Sequence, residues 1–197
     1  NLIKNQNIKI KYYYSSIQLR AINTLKLVQK SLNDEQNFTK AWQLNERHYG
    51  ALTGLNKVEM SKRLGEEKVH QFRRSWDLKP EPLDKLSPFH PSNINTYKNV
   101  PIKNIPDTES LKDTFVRVTN YYESEIIKNL SKGNILISAH GNSIRALCKY
   151  LFKLDKIQIS KLEIPTGNPL LIKIDKSQNI KSCKYLDQDR AKDLVIF

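Results

Sequence analysis

The stretch Ile135–Phe152, ILISAHGNSIRALCKYLF, changes its periodicity part-way along. Ile135 to Ser138 read as a short buried strand, and Ile144, Leu147, Cys148, Leu151 and Phe152 then recur at helical spacing. His140 therefore sits where a strand gives way to a helix. In open α/β sheets that edge is where ligands gather, and the amides of a helix N-terminus favour anions. On this local pattern alone the plainer reading of His140 is a turn histidine that caps the helix or packs locally. The rest of the chain has to decide between the two.

The other elements follow the same α/β rhythm. Ile8 to Tyr14 (IKIKYYY) alternates as a strand does, and Ser15 and Ser16 are candidate caps for a helix through Leu32. Its apolar face would be Ile17, Ala21, Leu25 and Val28. Phe38 to Leu44 reads as a short connection or a second strand. Lys57 to Trp76 is helix-like with a break at Gly65, and Lys79 to Pro106 gathers six prolines into a long loop. Ser110 to Leu130 carries an amphipathic helix on Leu111, Phe115, Val118, Tyr122 and Ile126. After the His140 segment, a turn at Pro165–Pro169 leads to a final strand, LLIKID. The order of strands and helices predicts a three-layer α/β sandwich with a mostly parallel sheet. The long proline loop is expected to cover the active site or to pack between subunits.

Composition narrows the class. The 197 residues suit one domain with a real core. No run is apolar enough to span a bilayer, and the N-terminus shows no signal-peptide pattern. Cys148 and Cys183 are isolated, without metal-ligand spacing, which fits a reducing cytosol and predicts a buried free thiol at Cys148. The net charge is +13, but the lysines are scattered among acidic residues, as on a solvated surface, and nucleic-acid recognition motifs are absent.

Several residues can carry chemistry. Asn45–Lys57, NERHYGALTGLNK, crowds Glu46, Arg47, His48, Tyr49 and Lys57 around two glycines. It reads equally as a loop shaped around a ligand and as a polar surface loop. A partly buried Glu46 could carry a proton. Arg73 and Arg74 could grip a phosphate or carboxylate, although a helix-end surface pair is the plainer reading. Arg20, taken alone, is a helix-surface arginine. His70 and His90 suggest no partners.

Together, YSSIQLRAINTL, LNERHYGALTGLNK, GEEKVHQFRRSWDLKPEPL, AHGNSIRALCKYL and IPTGNPLLIKID, in that order, resemble the cofactor-dependent phosphoglycerate mutases of the histidine phosphatase superfamily over nearly the whole chain. Thr53 departs from the pattern, standing where many members carry glutamine. The resemblance implies interconversion of 3-phosphoglycerate and 2-phosphoglycerate through a phosphohistidine, primed by 2,3-bisphosphoglycerate and without metal. It implies that His140 stabilises the transferring phosphoryl group and that Glu46 is the general acid/base. Arg20, Lys57, Arg73 and Arg74 would bind phosphate and carboxylate groups. Arg47, His48 and Tyr49 would line the signature loop, with Gly141 and Asn142 completing the pocket. A cytoplasmic homodimer or homotetramer is expected, with no nucleic-acid or membrane partner.

The family's nucleophile lies in an Arg-His-Gly motif after its first strand, and that tripeptide does not occur here. The chain opens on Asn1, so the expectation is one mutase-like domain over residues 1–197 that is N-terminally incomplete and lacks the first strand. A central strand missing from the protein itself would expose two sheet edges and leave it poorly stable and inactive. Two other readings stay open: a related phosphatase, and an inactive binding module that keeps an anionic pocket.

Overall fold

The computed structural model describes residues 2–191, with every side chain there except those of Lys57 and Arg63. Strand β1 (Ile10–Ser15) is the centre of a three-stranded parallel sheet, flanked by β2 (Thr39–Lys40) and β3 (Asn134–Ser138) in the order β2-β1-β3. Its last three residues, Tyr13, Tyr14 and Ser15, are all buried, which is the mark of a parallel strand covered on both faces. Tyr13 packs with Leu25 of α1 (Leu19–Leu32) on one face. Tyr14 packs on the other with Tyr122 and Ile126, which follow α4 (Leu111–Tyr121). Helices thus cover both sides, and the chain has the expected α/β architecture with a parallel central sheet.

The amphipathic segment from Ser110 is helical as predicted. Ser110 and Asp113 close a capping box, and Leu111, Val118, Tyr122 and Ile126 are buried. A single widened π turn at Tyr122–Ile126 leads into α5 (Ile127–Leu130). Gly65, at φ +80°, separates α2 (Lys57–Leu64) from α3 (Glu66–Arg74), as its position suggested. The proline loop contains only short 3₁₀ turns, at Pro91–Asn93, Asn95–Tyr97 and Ile102–Asn104. Helix α6 (Gly141–Leu151) follows β3 directly and packs on α4 and α7 (Lys156–Lys161). Cys148 is buried there, and burial pushes its thiol up to about 12. No helix among the described residues is long and apolar enough to cross a membrane.

Three expectations are corrected. Ser15 and Ser16 do not cap α1, whose N-cap is Gln18 without a side-chain bond. Ser15 ends β1, and Ser16 turns toward His140 instead. The buried face of α1 is Ala21, Ile22, Leu25 and Gln29, while Val28 is only half-buried. The last predicted strand, β4 (Leu170–Ile174), pairs antiparallel with β5 (Ile180–Tyr185), a strand the pattern did not reveal. Parallel pairing there is impossible, because the intervening turn is far too short for a crossover. Asp175 shapes that turn, its Oδ1 accepting the Ser177 and Asn179 amides.

The loop after residue 48 is clamped by a close approach at Gly50. Its φ is +53°, and a Cβ there would lie 2.1 Å from the Glu81 carbonyl oxygen and 2.7 Å from Thr108 Oγ1. Gly65 also has a positive φ, but a Cβ there would meet open space. Gly50→Ala should therefore cost at least ~2 kcal/mol, and Gly65→Ala only ~1 kcal/mol. Urea unfolding of both variants checks this, and equal losses would remove the close-packing account.

Candidate active site

Parallel pairing of β1 with β3 puts Ser15 opposite Ser138, so the C-terminal ends of both strands open on the same edge. Just beyond them lie Ser16 and His140, 124 residues apart in sequence and bonded at 2.8 Å between Ser16 Oγ and His140 Nε2. Arg20, the second residue of α1, donates from Nε to His140 Nδ1 at 2.9 Å. A guanidinium can only donate, so Nδ1 carries the lone pair and Nε2 carries the proton. His140 cannot then take a proton from Ser16, which excludes a serine nucleophile activated by this histidine. Burial, followed by the nearby Arg20 and Arg117 charges, pushes His140 down to about 3. The ring is a neutral donor at the N-terminus of α6.

Glu46 lies beside it. Its Oε1 accepts the Asn142 amide at 3.3 Å and the Arg47 amide at 2.8 Å. Its own amide reaches Gln18 Oε1, and Gln18 Nε2 donates to the Tyr97 hydroxyl, so one residue of the proline loop touches this network. Asn142 Nδ2 donates to the Tyr49 hydroxyl at 3.0 Å. Gly141 is exposed, and a Cβ built on it meets nothing within 4 Å. The N-terminus of α6 thus has room in front of it.

The predicted residues divide into two groups. Arg20, Glu46, Tyr49, His140, Gly141 and Asn142 form one connected cluster. Arg47 underlies it: the side chain is buried, its guanidinium lies 4.5 Å from the Tyr49 ring centroid, and Nη2 donates to the Phe72 carbonyl. Its Nε and Nη1 have no partner. His48 points into the loop framework, where its Nδ1 accepts the Gly50 amide and its ring lies 6.3 Å from that of His90. Burial lowers its pKa. Arg73 is exposed at the end of α3, and Arg74 is paired with Glu163. The side chain of Lys57 is outside the described set, and its backbone opens α2. A cavity of about 420 Å³ lies at the opposite end of β1, around Ile10, Tyr13 and Gln36, and includes none of these residues.

Three residues escaped the sequence reading. Arg117 and Glu109 form a buried two-pronged ion pair, at 2.7 and 3.0 Å. Arg117 also donates to the carbonyls of Gln43 and Glu46, while Glu109 accepts the His48 amide. Arg145, on α6, donates to Asn142 Oδ1 and to the carbonyls of Arg73 and Ile159. The available signal was weak: an arginine on the inner face of an amphipathic helix.

Residues 2–184 match the model of the histidine phosphatase superfamily, branch 1. The chain belongs to that superfamily. It is 66% identical over 196 residues to the 2,3-bisphosphoglycerate-dependent phosphoglycerate mutase of Pelagibacter ubique (strain HTCC1062), spanning 99% of this chain and 82% of that protein. A protein of the same name from Hydrogenobaculum sp. (strain Y04AAS1) is 46% identical over 185 residues, spanning 92% and 75%. Among solved structures, a mycobacterial glucosyl-3-phosphoglycerate phosphatase shares the fold at a TM-score of 0.60 and 18% identity, over 93% of this chain and 78% of that one.

The neutral His140 has a consequence for stability. Its folded pKa is about 3 against an ordinary ~6.5, so the unfolded chain binds more protons between those values. Stability should fall as pH drops from about 6.5 toward 3, and this contribution should be flat above pH 7. The steepest part is about 1.4 kcal/mol per pH unit. His48 adds to the same window, so the difference between the parent and His140→Gln isolates His140. Denaturation at pH 4, 5, 6 and 7 should show the variant losing less, and parallel curves would refute a neutral His140.

Proposed function

We propose that the activity is interconversion of 3-phosphoglycerate and 2-phosphoglycerate, as the name of its relatives implies, through a phosphohistidine whose Arg-His-Gly nucleophile is absent from this sequence. The observation that carries the reading is the site itself in a chain 66% identical to such a relative: a neutral histidine Nε2–H and a carboxylate, Glu46, converge at the N-terminus of α6. Phosphoryl transfer demands positioning and charge stabilisation more than covalent help from the protein. His140 donates to an oxygen of the moving phosphoryl group, which takes the place of Ser16 Oγ on Nε2–H, and Arg20 adds positive charge behind it. Glu46 takes and returns the proton of the substrate hydroxyl. Arg73, Arg74 and Lys57 hold phosphate and carboxylate groups, while Tyr49, Gly141 and Asn142 shape the floor, with Arg47 and His48 beneath.

These residues suit 2,3-bisphosphoglycerate. Gly141 leaves space before the helix amides, and the two unpartnered nitrogens of Arg47 add buried positive charge. When bound, that molecule supplies the priming phosphoryl group. The acceptor expected from the resemblance is an Arg-His-Gly histidine, and this sequence contains no such tripeptide. His48, His90 and His140 are engaged in bonds of their own, and His70 is exposed on α3. The wider reading is a single cytoplasmic mutase-like domain, a homodimer or homotetramer, working on small phosphoglycerates without metal, nucleic acid or membrane.

Intact mass before and after 2,3-bisphosphoglycerate tests the phosphoenzyme. Gain of one acid-labile phosphoryl group supports the mutase. Binding without gain indicates a module that keeps only the pocket. Preference for generic phosphomonoesters over phosphoglycerates indicates a related phosphatase. In the active protein Glu46→Gln should lower kcat by about 10²–10⁴-fold with little change in KM. A loss under about tenfold would remove Glu46 as the proton carrier.

A further inference from the structure

Helix α3 ends at Arg73 and Arg74, which the phosphoglycerate reading assigns to ligand binding, yet little apolar burial holds it. Its sequence is EEKVHQFRR, and Val69 is its only buried residue among those described. A helix with so thin an apolar face needs another restraint on its position. The restraint lies at its C-terminal end, where closing carbonyl groups need partners from outside the helix. The Phe72 carbonyl accepts from Arg47, and the next carbonyl, of Arg73, accepts from Arg145 Nη1 at 3.3 Å. Two guanidinium groups, one from the loop after residue 45 and one from α6, thus grip consecutive peptide units.

Arg145 reaches furthest. It is only 5% exposed, and the same Nη1 donates to Asn142 Oδ1 at 2.9 Å, while Nη2 donates to the Ile159 carbonyl of α7 at 2.6 Å. Asn142 in turn holds the Tyr49 hydroxyl and Glu46 Oε1. One planar fork therefore joins α3, α6 and α7 beside the catalytic cluster. A lysine ammonium presents its three donors from a single point and cannot reproduce that reach. We propose that Arg145 is a positioning residue that fixes the last turn of α3, and with it the Arg73 side chain, against the Asn142–Glu46 end of the site. The ligand that Arg73 meets is taken from the phosphoglycerate reading.

The test combines amide hydrogen exchange with calorimetric titration of 2,3-bisphosphoglycerate into the full chain, using Arg145→Lys, Arg73→Ala and the double variant. Arg145→Lys should accelerate exchange of the Ser75 amide, which closes α3 by donating to the Gln71 carbonyl at 2.8 Å, about tenfold or more, leaving β1 and β3 unchanged. It should weaken binding about tenfold, and that loss should shrink below about twofold when Arg73 is already alanine. Equal losses in both backgrounds, or exchange accelerated throughout the protein, would overturn the proposal. Failure of the parent to bind would sink the phosphoglycerate reading, while the exchange comparison would still decide the role of Arg145. Should Arg145→Lys not fold, nitrogen-15 spectra of the parent's arginine side chains decide it. Restricted rotation of the Arg145 Nη groups is expected, and free rotation contradicts a three-way tie.

Discussion

The buried ion pair between Glu109 and Arg117 decides where Glu46 stands. The stretch from Gln43 to His48 has almost no secondary structure of its own beyond a 3₁₀ turn at Trp42–Leu44. Its backbone groups are satisfied instead by the pair: Arg117 takes the Gln43 and Glu46 carbonyls, and Glu109 takes the His48 amide while its own amide donates to the His48 carbonyl. Withdrawing two charges from water costs several kcal/mol per ion, and their attraction alone does not reliably offset it. Here the remaining donors and acceptors are also used, which tips the balance. Loss of one partner would strand the other charge beside Glu46, so this loop has a single position rather than a range.

Much of the fold was legible because its long elements repeat cleanly. The periods of Leu111–Ile126 and Ile144–Leu151 describe helices packed on each other, and the order of elements implies parallel pairing. What was not legible depends on contacts distant in sequence. Ser16 sits where a cap is expected, but the helix starts three residues later, at Leu19, and its hydroxyl belongs to His140. Strand β5, IKSCKY, carries lysines on a weakly buried hairpin and lacks a clean alternation. Glu109, Arg117 and Arg145 carry no local signature, since a buried arginine on a helix reads like any amphipathic position until its partners are known. The cluster of Glu46, Tyr49, His140, Gly141 and Asn142 was readable as composition and resemblance, while its connectivity was not.

The distribution of cations explains why the net charge was a poor guide. The +13 is spread over the chain, and most of its lysines are exposed. The cations that hold the framework of the site are guanidinium: Arg47 and Arg145 are buried, and Arg117 nearly so. A rigid fork can satisfy two or three carbonyls at once and remains charged when desolvated, whereas a buried ammonium tends to lose its proton. Burial lowers the pKa of Arg47, and it takes Arg145 to about 10, which still leaves Arg145 charged near neutrality.

Burial, and after it the charges of the exposed Arg20 and of Arg117, explains the state of His140. Arg20 and Arg117 repel a second proton, and the Arg20 N–H occupies the only lone pair that could receive one. The imidazole must then act through Nε2–H alone. In the phosphoryl transfer proposed above this would be a useful restriction. An imidazolium would attract the anion in every state of the reaction, and equal attraction in ground and transition states accelerates nothing. A neutral donor would reward only the geometry in which a phosphoryl oxygen arrives there, while Arg20 and the α6 amides would supply the charge. Ser16 Oγ accepts that N–H at 2.8 Å, which orients the ring, and an arriving phosphoryl oxygen would take the place of the hydroxyl.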